Sequence, residues 1–254
     1  MARSLFYNLG RKLGPKVRKA RWMWESLAGT EADAIRLEHG VGLDLAREAR
    51  AQLSMDQDPQ TAKVLEETGS RLTACVANRL RAFQFGAFQA GEPNAFALPG
   101  GFIFVGRPIL ELCGWNSDQI SFVLAHEMAH VIRRHAIERI VTNSAISVAA
   151  RAAPVSGAVG AWLRQVGLQF LETAYTRDQE LEADNLGVRL MMAAGYRPQA
   201  AAELLAQLAD LNKAADPVAL GGYFSTHPSA EVRIAGIRRF LGHRPGSNDQ
   251  PSRR

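Results

Sequence analysis

Apolar residues recur at helical spacing from Ala34 through Leu37, Val41 and Leu45 to Leu53, which predicts a helix with Thr30 as its N-cap. Asp56 to Pro59 break that pattern, and a second helix is expected over Thr61 to Val76. The character then changes. Phe83 to Phe88, Phe96 to Leu98 and Phe102 to Val105 are short apolar runs bounded by turn residues such as Gly91-Glu92-Pro93, and they read as strands. From Pro108 the spacing is helical almost to the end. Asn116-Ser117-Asp118-Gln119 offers capping side chains ahead of a long apolar run, and Leu181, Leu186, Val188, Leu190 and Met191 mark a later helix ending at Gly195. The fold class is therefore α+β, mainly α, with a small β-sheet. No repeat or composition shift divides the chain. Residues 30–241 are expected to form a single domain, between an arm (1–29) and a polar tail (242–254) expected to be disordered.

Composition sharpens this picture in two places. With 254 residues and 47 % hydrophobic content, the chain has ample material for a core, and two cysteines, Cys75 and Cys113, exclude a disulfide scaffold. The net charge of +5 is unevenly placed: seven of the 30 Lys and Arg fall within residues 1–21, leaving 23 against 25 Asp and Glu. The body is thus close to neutral, which argues against a nucleic-acid partner. Within residues 1–24, Leu5, Phe6, Tyr7, Trp22 and Trp24 alternate with the cations. Two readings stay open for this arm: peripheral contact with an anionic membrane, or packing of its aromatics onto the body. Gly10 to Lys16 interrupts any signal-peptide core, and Arg151 and Pro154 interrupt the best spanning candidate, Ala145 to Leu163. The expected location is the cytoplasm, with the inner membrane face as the alternative.

The chemistry sits on the helix that follows Asn116. His126-Glu127-Met128-Ala129-His130 places two histidines four residues apart, just over one turn, so both project from one face and reach a common ion at about 2.0–2.1 Å. Glu127 stands one residue round, beside that ion, where a carboxylate can accept and return a proton. The plain alternative is a helix with two hydrogen-bonded histidines. A third histidine close behind would need Gly and His where Arg133 and Ala136 stand, so that arrangement is excluded. His135, one place out of register, is expected at the surface among Arg133, Arg134 and Arg139. Glu180 and Asp184, again four apart on a helix, are candidates for the third ligand and for an acceptor that orients a histidine. Glu182 lies about 200° round from Glu180. A solvated acidic helix face is the competing reading. His227, beside Pro228, is either a helix cap or a group that faces the site and stabilises an oxyanion.

Four blocks in order, Asn94-Ala95-Phe96-Ala97-Leu98-Pro99-Gly100-Gly101, His126 to His130, Glu180-Leu181-Glu182-Ala183-Asp184 and Thr226-His227-Pro228, resemble one family. It is that of the zinc metallopeptidases HtpX, the periplasmic chaperone-protease BepA, the mitochondrial Oma-type peptidase and the CAAX prenyl proteases. The resemblance covers about residues 81–241 and favours the soluble BepA-like and Oma-like catalytic domains. It implies a zincin-like (gluzincin) fold and one zinc ion per chain, with His126, His130 and Glu180 as ligands and Glu127 as catalytic base. It further implies endopeptidase action on unfolded or damaged polypeptides, in protein quality control. It also implies that Phe102 to Val105 borders the cleft as an edge strand, where an extended substrate would pair; an ordinary core strand is the other reading. Two other classes share these residues: a zinc-containing chaperone that holds chains at a membrane surface without cutting, and a hydrolase of small amides. Residues 1–80 match none of the four blocks, and the oligomeric state is open.

Overall fold

The computed structural model describes residues 29–142, 175–214, 227 and 230–242. The arm, the apolar stretch 145–163, the capping role of Pro228 and the tail beyond Gly242 lie outside the described residues.

Four of the helices begin on a capping side chain that the sequence supplies. Helix α1 (Glu31–Gln52) opens with the Asp33 N–H donating to Thr30 Oγ1 at 3.2 Å. Helix α2 (Pro59–Thr73) starts on Asp58, whose carboxylate accepts from the Gln60 N–H at 2.9 Å, and Pro59 fills the first turn where no donor is needed. Three strands follow: β1 (Gln84–Phe88), β2 (Ala95–Leu98) and β3 (Phe102–Gly106). Next come α3 (Arg107–Leu112), α4 (Ser117–Ile132), α5 (His135–Thr142), α6 (Arg177–Ala193), α7 (Gln199–Ala214) and α8 (Ala230–Gly242). The Asn116 side chain caps α4 by accepting from Asp118 N–H (2.9 Å) and Gln119 N–H (3.3 Å). Thr176 and Gln179 cap α6 reciprocally.

The sheet order is β1-β3-β2, with β1 parallel and β2 antiparallel to β3. Residues of β3 alternate between two cores, as the period of two requires. Ile103 and Val105 join the core formed with α2, α4, α6 and α7, while Phe102 and Phe104 join the one capped by α1. The sheet is thus sandwiched between helices. This corrects the expectation that Phe102 to Val105 is an edge strand: it is the central strand, paired on both sides. Its unbroken apolar run suits burial on both faces, and a strand with neighbours on both edges has no free main-chain groups for a substrate. Among the described residues, the outer edge of β2 pairs with no strand.

Helix α4 is buried from Gln119 to Val131, on all sides, which is why its hydrophobic run has no polar face. Helix α6 packs directly on it. Gly187 permits the approach: a Cβ there would stand 3.1 Å from the His126 nitrogen and 3.2 Å from the Ala125 carbonyl carbon. The molecule is mainly helical with a three-stranded sheet, and the face of α4 that meets α6 carries the histidines.

Candidate metal centre

Three elements converge on one buried point. Helix α4 supplies His126, Glu127 and His130; α6 supplies Glu180 and Asp184; His227 arrives just ahead of α8, and Arg233 from within it. All seven residues are at most 2 % exposed. Donor atoms of His126, His130, Glu180 and His227 lie within 4.8 Å of one another.

The distances show how these groups are aimed. His126 Nε2 and His130 Nε2 are 3.2 Å apart, and His130 Nε2 is 3.3 Å from Glu180 Oε1. Two nitrogens bound at about 2.0–2.1 Å to one tetrahedral ion would stand about 3.4 Å apart, so the separation fits a shared ion. Glu180 Oε2 stands 3.6 Å from His126 Nε2. On the far side of the His126 ring, Nδ1 lies 3.0 Å from Asp184 Oδ1. An ionised Asp184 accepts that proton, which leaves the Nε2 lone pair facing inward.

Arg233 neutralises the buried carboxylates. Its Nε donates to Asp184 Oδ2 at 2.9 Å and its Nη2 to Oδ1 at 2.8 Å, a bidentate pair, while Nη1 is 3.1 Å from Glu180 Oε2. Burial alone would raise both carboxyl pKa values. The charges of His227 and Arg233 outweigh it for Glu180, and those of Arg233 and His126 for Asp184, holding Glu180 well below and Asp184 below the ordinary range. For His130 burial dominates over the attraction of Glu180 and pushes its pKa well below the usual histidine value. Neutral imidazole beside ionised carboxylate is the protonation state that binds a metal.

Glu127 has one carboxylate oxygen 3.6 Å from His227 Nε2, and the other, Oε2, has no hydrogen-bond partner although buried. An orphaned acceptor of this kind costs about 1–3 kcal/mol unless a ligand or water meets it. His227 Nδ1 donates to Glu180 Oε1 at 2.8 Å and stands 3.4 Å from His126 Nε2. The sequence-derived set, His126, Glu127, His130, Glu180, Asp184 and His227, is therefore brought together in one place.

One expectation is overturned. His135 is not at the surface: it is 3 % exposed, and its Nδ1 lies 3.0 Å from His130 Nδ1. Arg134 adopts φ 64°, which ends α4 and turns His135 back under it. Burial, working against the nearby Glu182, lowers the His135 pKa to about 4. Arg233 and Tyr175 were also missed; Tyr175 stacks on His130, with ring centroids 3.8 Å apart at 15°. Arg233 left a trace in the sequence, because it shares the buried α8 stripe with Ala230 and Ile237.

The profile of peptidase family M48 matches residues 59–241. The chain belongs to that family. It is 39 % identical over 153 residues to the mitochondrial metalloendopeptidase OMA1 of Schizosaccharomyces pombe, an overlap of 59 % of this chain and 44 % of the relative. The namesake in Saccharomyces cerevisiae is 34 % identical over 157 residues, covering 59 % and 44 % of the two chains. The beta-barrel assembly-enhancing protease of Escherichia coli K12 is 28 % identical over 231 residues, 83 % of this chain and 45 % of the relative. The chain thus spans less than half the length of these curated relatives. All six sequence-derived site residues of this M48 chain lie inside the matched range, and the family's zinc fits the two-nitrogen, one-carboxylate donor set. Among the described residues no helix is long and apolar enough to cross a membrane.

Proposed function

We propose that the chain is a zinc-dependent metalloendopeptidase that hydrolyses peptide bonds of unfolded or damaged polypeptides. The observation that carries this reading is the buried convergence of His126, His130 and Glu180, with His126 and His130 Nε2 3.2 Å apart, beside a buried Glu127 whose Oε2 has no hydrogen-bond partner. In this reading His126, His130 and Glu180 hold the metal, and Asp184 fixes the His126 tautomer. Bound zinc supplies Lewis acidity, which polarises a carbonyl oxygen and lowers the pKa of water. Glu127 takes a proton from the attacking water and returns it to the departing amine nitrogen. His227, on the Glu127 side, stabilises the oxyanion. The relatives, a metalloendopeptidase and a protease by name, support peptide hydrolysis.

Polypeptide recognition is proposed at the outer edge of β2, which pairs with no strand among the described residues; strand addition there favours unfolded segments over one sequence. The cations of residues 1–21 support a further element, peripheral contact with an anionic membrane from the cytoplasmic side.

The test is metal analysis together with cleavage of unfolded casein, on wild type and Glu127→Gln. About one zinc in both proteins, with turnover reduced about 10²-fold or more in the variant, is expected. Zinc in both with no cleavage by the wild type would favour a non-cleaving chaperone. Comparable cleavage by both would remove Glu127 from the mechanism.

A further inference from the structure

His130 and His126 are oriented by different devices, and the device behind His130 involves a residue with no part in the reading above. His135 is buried, its ring set at 67° to that of His130 with centroids 5.1 Å apart. The two Nδ1 atoms are 3.0 Å apart, and the other nitrogen of His135, Nε2, lies 3.4 Å from Glu182 Oε2. Two imidazole nitrogens in hydrogen-bond contact need one donor and one acceptor. His130 Nε2 faces Glu180 and His126 and must offer a lone pair there, so its proton resides on Nδ1. His130 therefore donates, His135 Nδ1 accepts, and the His135 proton sits on Nε2, directed at the Glu182 carboxylate.

We infer that His135 is a positioning residue, which accepts from Nδ1 of His130 and so fixes its tautomer and ring orientation, in a hydrogen-bond relay that ends on Glu182. His126 receives the same service directly from Asp184, at 3.0 Å. The relay is built from separate pieces of the fold. Arg134, in the left-handed region, is held by its Nε at 2.8 Å from buried Glu38 Oε1 of α1, and Arg133 Nε grips Glu182 Oε1 at 3.0 Å. A non-glycine residue at positive φ persists only where its surroundings enforce it, and here the turn it makes delivers His135. Glu182 is the α6 carboxylate turned away from Glu180, so one turn of that helix serves His130 from both sides. The inference rests on His130 as a zinc ligand.

Zinc affinity measured by chelator competition on the full chain tests it. His135→Leu removes the acceptor and is expected to bind zinc about 10–100-fold more weakly. His135→Asn places Oδ1 where Nδ1 stood, so it accepts from His130 and is expected to stay within about 3-fold of wild type. Equal affinity in wild type and His135→Leu would overturn the relay, as would equal weakening in the leucine and asparagine variants, which would mark packing alone. A wild type that binds no zinc would instead remove the metal reading, and the relay with it. Should the leucine variant not fold, long-range ¹H–¹⁵N spectra of the zinc-loaded wild type decide the matter. The expected pattern is a proton on Nδ1 of His130 and on Nε2 of His135, and the opposite tautomers would refute the relay.

Discussion

His227 shows at the scale of one residue how the site divides labour. Its Nδ1 is committed to Glu180 Oε1 at 2.8 Å, while Nε2 faces the Glu127 side of the centre. Losing it removes a hydrogen bond to a proposed ligand and, from the reaction, a group beside the developing negative charge. His227→Ala is therefore expected to lower kcat about 10²-fold while zinc affinity falls no more than about tenfold. Steady-state kinetics beside a zinc titration would measure both, and an unchanged kcat would end the oxyanion role. The same residues show what was legible beforehand. His126, Glu127 and His130 could be read because a one-turn spacing fixes their relative direction in any helix. His135 could not, because its position depends on the backbone of Arg134 and on Glu38, far away in the chain. Arg233 shows its role only in the fold, which sets Asp184 and Glu180 opposite it.

Between elements, the contact that matters is α4 on α6. Gly187 allows it, and the atoms in the way of a side chain are backbone atoms of Ala125 and His126, which cannot swing aside. Gly187→Ala should force the helices apart by a few tenths of an ångström, costing about 1–3 kcal/mol of overpacking against a gain of up to about 1 kcal/mol in helix propensity. Zinc affinity should fall too, since α6 carries Glu180 and Asp184. Gly236→Ala is the control: its Cβ would meet only the flexible end of Leu181, at 3.3 Å, so it should be neutral or stabilising. Thermal unfolding of the two variants would separate the cases, and equal melting temperatures would show the close approach to be unimportant. The strands were found from their hydrophobic runs, but their order was not. A run buried on both faces reads the same whether one edge or both are paired, so the central place of β3 emerged only with the sheet.

Across the whole molecule, the centre ties α4, α6 and the start of α8 together, over a chain separation of 101 residues between His126 and His227. A metal that binds the folded form alone stabilises it by about 2.7 kcal/mol when free metal is about a hundredfold above Kd. For a chain of this size, stripping zinc with a chelator should then lower Tm by roughly 5–10 °C, restored by adding zinc back. Scanning calorimetry would follow this, and a melting temperature indifferent to zinc would contradict metal binding in the core.

That spread along the chain also bears on the order in which the protein is made. A nascent chain that has emerged only as far as α5 already carries the paired histidines and Glu127, yet Glu180, Asp184 and Arg233 have not been synthesised. Its histidines then have one another but neither the third donor nor the carboxylate that orients His126. The centre is complete only once α6 and α8 have docked, so in the proposed reading a half-made copy has the paired histidines without the set that would hold a metal.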